Sequence, residues 1–248
     1  MSDYQLDYAS GRPQMYDLKS RQKKADRMIK TFEDFFSGNN LSTLSLLDIG
    51  SSTGIIDSIL ANRFNSVVGI DIDKSAVDFA QKKFANRKLR FQVGNGQALN
   101  FRDSSFDVVV CTHIYEHVPN PRKLLLEIYR VLKPGGVCYF AAVNKLWPIE
   151  PHYNLPFLSW LPKTVANFYM RITKKGNAYY ETPMTFWGLT ELTKEFVRIE
   201  YTQRILRNPK KFGYEDVIKF PTSVIVWFLS PLSKILAPTF FWLLIKRR

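Results

Sequence analysis

The chain has 248 residues, 46% of them hydrophobic, enough for the large core of one α/β domain with additions. Its two cysteines, Cys111 and Cys138, fall inside apolar strand-like runs, which excludes a disulfide framework and reads as free thiols of a reducing compartment. The net charge is +13, of which +8 falls in residues 149–248, an uneven excess that favours an anionic surface: phospholipid headgroups, a phosphorylated substrate or RNA.

The N-terminus, MSDYQLDYAS, is polar and acidic and carries no secretory signal. Residues 16–36 read as an amphipathic helix, with Leu18, Ala25, Met28, Ile29, Phe32, Phe35 and Phe36 at helical spacing. Ser37-Gly38-Asn39-Asn40 ends it. The basic cluster Lys19 to Lys30 reads as a solvated face, with a docking surface or part of a substrate lid as the alternative. Regular alternation follows. Strand one is Leu44–Ile49, its helix about Ile55–Ala61, and strand two Val67–Ile70. A helix starts near Ser75, strand three is Leu89–Val93, and strand four is Phe106–Cys111. Asn120 and Pro121 open a helix to Leu132, and Lys133-Pro134-Gly135-Gly136 stops it before strand five, Val137–Val143. The strands are continuous apolar runs, so helices cover both faces of a doubly wound sheet. Residues 144–185 are rich in Pro, Trp, Tyr and Phe and overhang the carboxyl ends of the strands, where ligands bind. A helix about Thr185–Phe196 leads to strand six, Val197–Arg204. Residues 217–245 are apolar, but Pro221, Pro231 and Pro238 interrupt them and Lys219 and Lys234 lie within them. No clean stretch reaches the roughly 20 residues needed to span a bilayer.

The segment LSLLDIGSSTG (residues 44–54) carries the most chemistry. A strand bearing Asp48 breaks into a turn with Gly50 and Gly54, a helix follows, and the second strand ends in Asp71. This is the layout of a nucleotide-binding βαβ unit. Glycine lets backbone approach a ligand, and a carboxylate at the second strand's tip can accept from both ribose hydroxyls. The dinucleotide pattern G-x-G-x-x-G is missing, since Ser52 and Ile55 stand at its second and third glycines, and there is no P-loop Gly-Lys-Ser/Thr.

The same residues resemble motif I of class I S-adenosylmethionine (SAM) methyltransferases, D-x-G-x-G-x-G, as Asp48, Gly50, Ser52 and Gly54, with Ser52 departing from the middle glycine. GNGQALNFRDSSFDVVV and CTHIYEHVPNPRKLLLEIYRVLKPGG are similar to later segments of the family that includes ubiquinone and menaquinone methyltransferases, extending the match over most of residues 44–143. The resemblance implies a Rossmann-like, seven-stranded, mostly parallel α/β sheet whose last strand, Thr239–Lys246, runs antiparallel between strands five and six. It divides the chain into an N-terminal helical cap (1–43), a SAM-binding core (44–143), an acceptor-site insertion or lid (144–185) and the C-terminal end of the fold (186–248). Gly213–Leu236 would be a surface helix centred on Trp227, Phe228 and Leu229, either covering the core or lying in a membrane plane flanked by Lys210, Lys211, Lys219 and Lys234. The implied SAM contacts are Asp48, Gly50, Ser52, Gly54, Asp71, Ile72, Asn95, Gly96, Thr112 and His113. Asn95 stands where the family has an acid, and its carbonyl can still accept from an adenine amino group.

Methyl transfer asks the protein to align a nucleophile, exclude water and, for a hydroxyl or amine, remove a proton. The three histidines, His113, His117 and His152, all map to the sheet edge where that chemistry would occur. His152, beside Glu150 and Tyr153, is the preferred base, with lid packing as its alternative. His117, paired with Glu116, is the second catalytic candidate or a loop-fixing residue. The absence of [DNS]-P-P-[YFW] disfavours adenine and glutamine acceptors, and no Cys/His cluster predicts a metal. Aromatics do not interleave with basic residues as in RNA readers. The expected function is O-methylation of a lipid or lipid-linked saccharide by a cytoplasmic enzyme at the inner membrane face. A quinone-type or soluble small-molecule methyltransferase, a SAM-binding regulator without catalysis and a nicotinamide oxidoreductase are the alternatives.

Overall fold

β1 (Ser45–Ile49) runs through the middle of the main sheet with four of its five residues buried. It pairs in parallel with β2 (Ser66–Asp71) on one side and β4 (Phe106–Thr112) on the other. β3 (Leu89–Val93) extends the sheet beyond β2, and β5 (Leu132–Val143) extends it beyond β4, both in parallel. The insertion contributes a separate short hairpin, β6 (Ile149–Glu150) with β7 (Leu155–Pro156). β8 (Val197–Glu200) forms the far edge, and β9 (Thr239–Ile245) fills the gap antiparallel to both β5 and β8. The computed structural model describes residues 9, 12–37, 40–218 and 235–248. Among them the main sheet has seven strands in the order β3-β2-β1-β4-β5-β9-β8, the expected mostly parallel topology with the last strand antiparallel between the fifth and sixth.

The helices are α1 (Leu18–Phe36), α2 (Ile55–Leu60), α3 (Lys74–Phe84), α4 (Pro121–Val131), α5 (Lys163–Ile172), α6 (Phe186–Leu192) and α7 (Thr202–Arg207). The starts of α1, α3, α4 and α6 follow from side-chain caps: Asp17, Asp73, Asn120 and Thr185 each accept from a backbone N–H of the first turn. One apolar core lies between the sheet and α4 and α6, with Leu124, Ile128 and Leu189 against Val109, Phe140 and Trp242. The other lies under α1, α2 and α3, where Met28, Phe32, Leu60 and Val77 meet Leu46, Val108 and Tyr139. A small third core, Leu155, Leu158, Ala166, Met170 and Tyr179, gives the insertion its own interior.

The structure departs from the sequence reading in three places. β5 begins five residues early, because Leu132 pairs with Phe106 and the Lys133–Gly136 run forms a bulge before Val137 pairs with Val108. α6 stops at Leu192, where Thr193 turns its hydroxyl back onto the Leu189 carbonyl. The sixth strand ends at Glu200. Its expected second half is α7, which turns Ile205 into the core beside Tyr201. The centre of the expected surface helix, Trp227 to Leu229, lies outside the described residues. Among the described residues no helix is long and apolar enough to cross a membrane.

Candidate active site

The carboxyl ends of β1, β2, β4 and β5 open into one cavity of about 450 Å³, roofed by the start of α1 and flanked by the insertion. This is the sheet edge at which α/β folds bind ligands. Asp48, Gly50, Ser52, Asp71, Ile72, Asn95, Gly96, Thr112 and His113 all line it.

The glycine turn is shaped by backbone rules. Gly50 has φ +85°, and a Cβ there would stand 2.1 Å from Ile114 Cδ1. Ser52 also sits in the left-handed region, at φ 49°, and its N–H donates to Asp71 Oδ2 at 2.7 Å. The other Asp71 oxygen accepts from the Asp73 N–H at 2.9 Å. Asp71 therefore ties the turn to the tip of β2 while keeping lone pairs for a ligand. Burial raises its pKa, and these backbone donors oppose the rise. Gly54 differs from expectation. It does not line the cavity; at φ +71° it starts α2, and a Cβ there would reach Phe91 and Ala80 at 2.6–2.7 Å, so its need is packing. Asn95 uses its carbonyl oxygen on the Gln97 N–H, and Gln97 in turn accepts from the Asn120 N–H, which anchors this wall to the start of α4.

Two buried carboxylates face each other beneath the turn. Burial pushes Asp48 up to about 7, and burial together with the Asp48 charge pushes Asp57 well above the ordinary range. Asp57 is fully buried, and the sequence reading passed over it.

The second half of the site comes from the β4 end and the insertion. Glu116, Glu150 and Glu181 are each 1% exposed. His152 Nδ1 lies 2.6 Å from Glu150 Oε1, while Glu150 Oε2 accepts the backbone N–H groups of His152 and Tyr153. The His117 ring stands edge-on to His152 with centroids 4.9 Å apart. Burial opposes charging His152, but the bond to Glu150 and the surrounding carboxylates outweigh it and raise its pKa. Burial prevails at His117 and lowers it to about 4. His113 and His152 lie 3.5 and 3.9 Å from one oxygen of Glu116, and burial of that carboxylate is outweighed by the three histidines, which lower its pKa. The two facing histidines thus differ: a neutral His117 beside a chargeable His152.

His117 and His152 line the cavity, whereas Glu150 stands behind His152. Tyr153 does not line it; its hydroxyl meets Glu181 at 3.3 Å and its ring packs edge-on against Tyr179. No metal centre was expected from sequence. The fold nevertheless places one ligand atom each of Glu116, His117 and His152 within 4.8 Å of one another, a set able to hold a divalent cation. Arg21, Lys24 and Arg27 line the cavity; they belong to the basic cluster expected as a solvated face, with a docking surface or part of a substrate lid as the alternative, and the helical spacing of Arg21 with Ala25 and Met28 was a usable signal. Nothing local marks Glu181, which only the folding of the insertion brings to His117.

Asp71 shares this cavity wall with Ser51 and Ser52, whose buried hydroxyls have no hydrogen-bond partner among the described residues. The family profile described as "Methyltransferase domain" matches residues 47–140. The mitochondrial ubiquinone biosynthesis O-methyltransferase of Rattus norvegicus is 33% identical over 126 residues, covering 48% of this chain and 36% of that protein. The ubiquinone biosynthesis O-methyltransferase of Pseudomonas fluorescens (strain SBW25) is 30% identical over 117 residues, 43% of this chain and 47% of that protein. The chain spans less than half the length of these curated relatives. Among solved structures, the plantazolicin methyltransferase BpumL, crystallised with S-adenosylhomocysteine (SAH), aligns with TM-score 0.60 at 17% identity over 96% of this chain and 88% of that one. A SAM-dependent methyltransferase from Methanosarcina mazei aligns with TM-score 0.53 at 21% identity, covering 86% and 97%. The sheet order and these likenesses define a Rossmann-like α/β fold. More narrowly, residues 47–140 are similar to a methyltransferase domain.

Proposed function

We propose that the protein transfers a methyl group from SAM to an oxygen of a lipid or lipid-linked saccharide at a membrane surface. The observation that carries this reading is one continuous cavity joining the Asp71 glycine turn to the His152–Glu150 pair. Bound SAM supplies a methyl group already activated on a sulfonium. The chain's residues hold and orient it, close off water and take a proton. Asp71 receives the ribose hydroxyls. His152, its Nδ1 fixed by Glu150, leaves Nε2 to accept the hydroxyl proton, and the imidazolium formed is stabilised by that carboxylate. Glu150 is a positioning residue, and His117, kept neutral, packs the base in place.

The insertion supports a lipid surface. α5 buries Ala166 and Met170 on one side and exposes Val165, Phe168 and Ile172 on the opposite stripe. A helix apolar on two faces is unusual against water. Arg171, Lys174 and Lys175 lie beside it, and residues 157–180 contain no acid, as a headgroup contact requires. A quinone-type acceptor is the second reading, favoured by the names of the curated relatives.

The test incubates the protein and labelled SAM with separated lipid and aqueous cell extracts. Label is expected in an organic-soluble product and to vanish with His152→Gln. Label confined to the aqueous fraction would refute the lipid reading, and label in neither would refute the methyltransferase.

A further inference from the structure

The inward stripe of α1 changes character along its length. Ala25, Met28 and Phe32 are buried against the sheet. Arg21 continues this stripe one turn before Ala25, Lys24 flanks it on the exposed side, and both line the cavity together with Arg27. Arg21 therefore occupies a position where an amphipathic helix would continue its apolar face, and Lys24 stands at the edge of that face over the cavity.

Their partners differ. Arg27 is committed: its guanidinium reaches Asp216 at 2.6 Å and the Gly213 carbonyl at 2.9 Å, and it stacks over the Tyr214 ring at 4.3 Å. Arg21 reaches the Gln14 carbonyl at 3.4 Å and its charge favours ionised Asp48. Among the described residues no ion pair joins Lys24 to a carboxylate, and its electrostatic neighbours are Arg21 and Arg27. Lys24 is an exposed residue, yet desolvation of its ammonium by the surrounding protein, then the two arginines, push its pKa down to about 8. Like charges gathered on a cavity wall destabilise the empty protein, and an anionic ligand reverses that term. The neighbouring wall is apolar, formed by Met28, Tyr139, Ala141 and Phe241.

Resting on the methyltransferase reading, we propose that this end of the cavity is an oxyanion subsite of the acceptor, with Lys24 as its principal donor. The acceptor then carries a phosphate or carboxylate beside an apolar body, and Lys24 is a specificity-determining residue. One carboxylate of the methyl donor cannot be the whole explanation of the cluster if the subsite still binds an anion when SAH is already in place.

The test is a titration of the full chain with inorganic phosphate, followed by phosphorus NMR at constant ionic strength, with and without saturating SAH. Wild type is expected to bind phosphate in both states. Lys24→Gln should weaken phosphate about tenfold or more, the loss of one charge-assisted hydrogen bond, while SAH affinity changes less than threefold. Lys24→Arg should restore most of the phosphate binding. The proposal is overturned if SAH-loaded wild type ignores phosphate, or if Lys24→Gln weakens SAH instead, which would assign the lysine to the donor's own carboxylate. Failure of SAH to bind at all refutes the methyltransferase reading, and the titration without SAH still decides whether Lys24 governs an anion site.

Discussion

Replacing Glu150 with Gln separates a positioned base from a packed loop histidine. Glu150 is buried and its Oε1 lies 2.6 Å from His152 Nδ1, so the substitution keeps the shape and removes a charge-assisted bond. Such bonds to charged groups contribute about 1.5–3 kcal/mol. That amount stabilises the imidazolium against the imidazole, so the variant's His152 must deprotonate at lower pH. The sign for stability follows. A histidine whose pKa is raised on folding contributes stability below its unfolded pKa and loses it as pH rises through the folded one. Glu150→Gln should therefore cost more stability at pH 6 than at pH 9. The assay follows the His152 ring protons by NMR, assigned with His152→Gln, beside urea unfolding at the two pH values. In the methylation assay kcat should fall about tenfold or more with KM nearly unchanged, because Glu150 does not line the cavity. A titration midpoint that stays put or moves up would refute the reasoning.

Asp71→Ala should weaken SAM binding by about 1–3 kcal/mol, the cost of unpaired ribose hydroxyls and two freed backbone donors, measured by calorimetry; an unchanged dissociation constant would contradict its role. Gly50→Ala should lower Tm and SAM affinity together, since the new methyl meets Ile114 in a left-handed backbone, and a variant as stable as wild type would contradict that packing. Asp48 titrates near 7 in the folded state against 3.8 unfolded, so the Asp48–Asp57 pair makes stability decline as pH rises across that interval. Asp57→Asn should flatten that decline in thermal melts at pH 5 and 8. Phe168→Asp with Ile172→Asp should reduce sedimentation with anionic vesicles several-fold while leaving SAH binding intact, and undiminished sedimentation would remove α5 from the membrane contact.

The parallel core was legible because its central strands are mostly apolar runs and the helices between them open on cap signals, as at Asp73 and Asn120. The boundaries that slipped, at Leu132, Leu192 and Glu200, depend on pairing with distant strands. Phe106 decides where β5 starts, and β9 ends the pairing of β8 at Glu200. Asp48, Gly50 and Asp71 of the motif line the cavity and Gly54 does not, since a glycine needed for φ > 0 looks the same in sequence whether it faces a cavity or Phe91. The insertion was less legible. His152 and Glu150 are two residues apart and could be read together. Their approach to Glu116, His117 and Glu181 arises only when residues 144–185 fold back over the end of β4. The cations of α1 were visible as charge and unreadable as cavity lining until the helix was docked.

Calorimetric titration of the full chain with SAH tests the central claim most directly. The account predicts saturable one-to-one binding that Asp71→Ala weakens and that NADH neither mimics nor competes with. No heat with SAH, or competition by NADH, would contradict it.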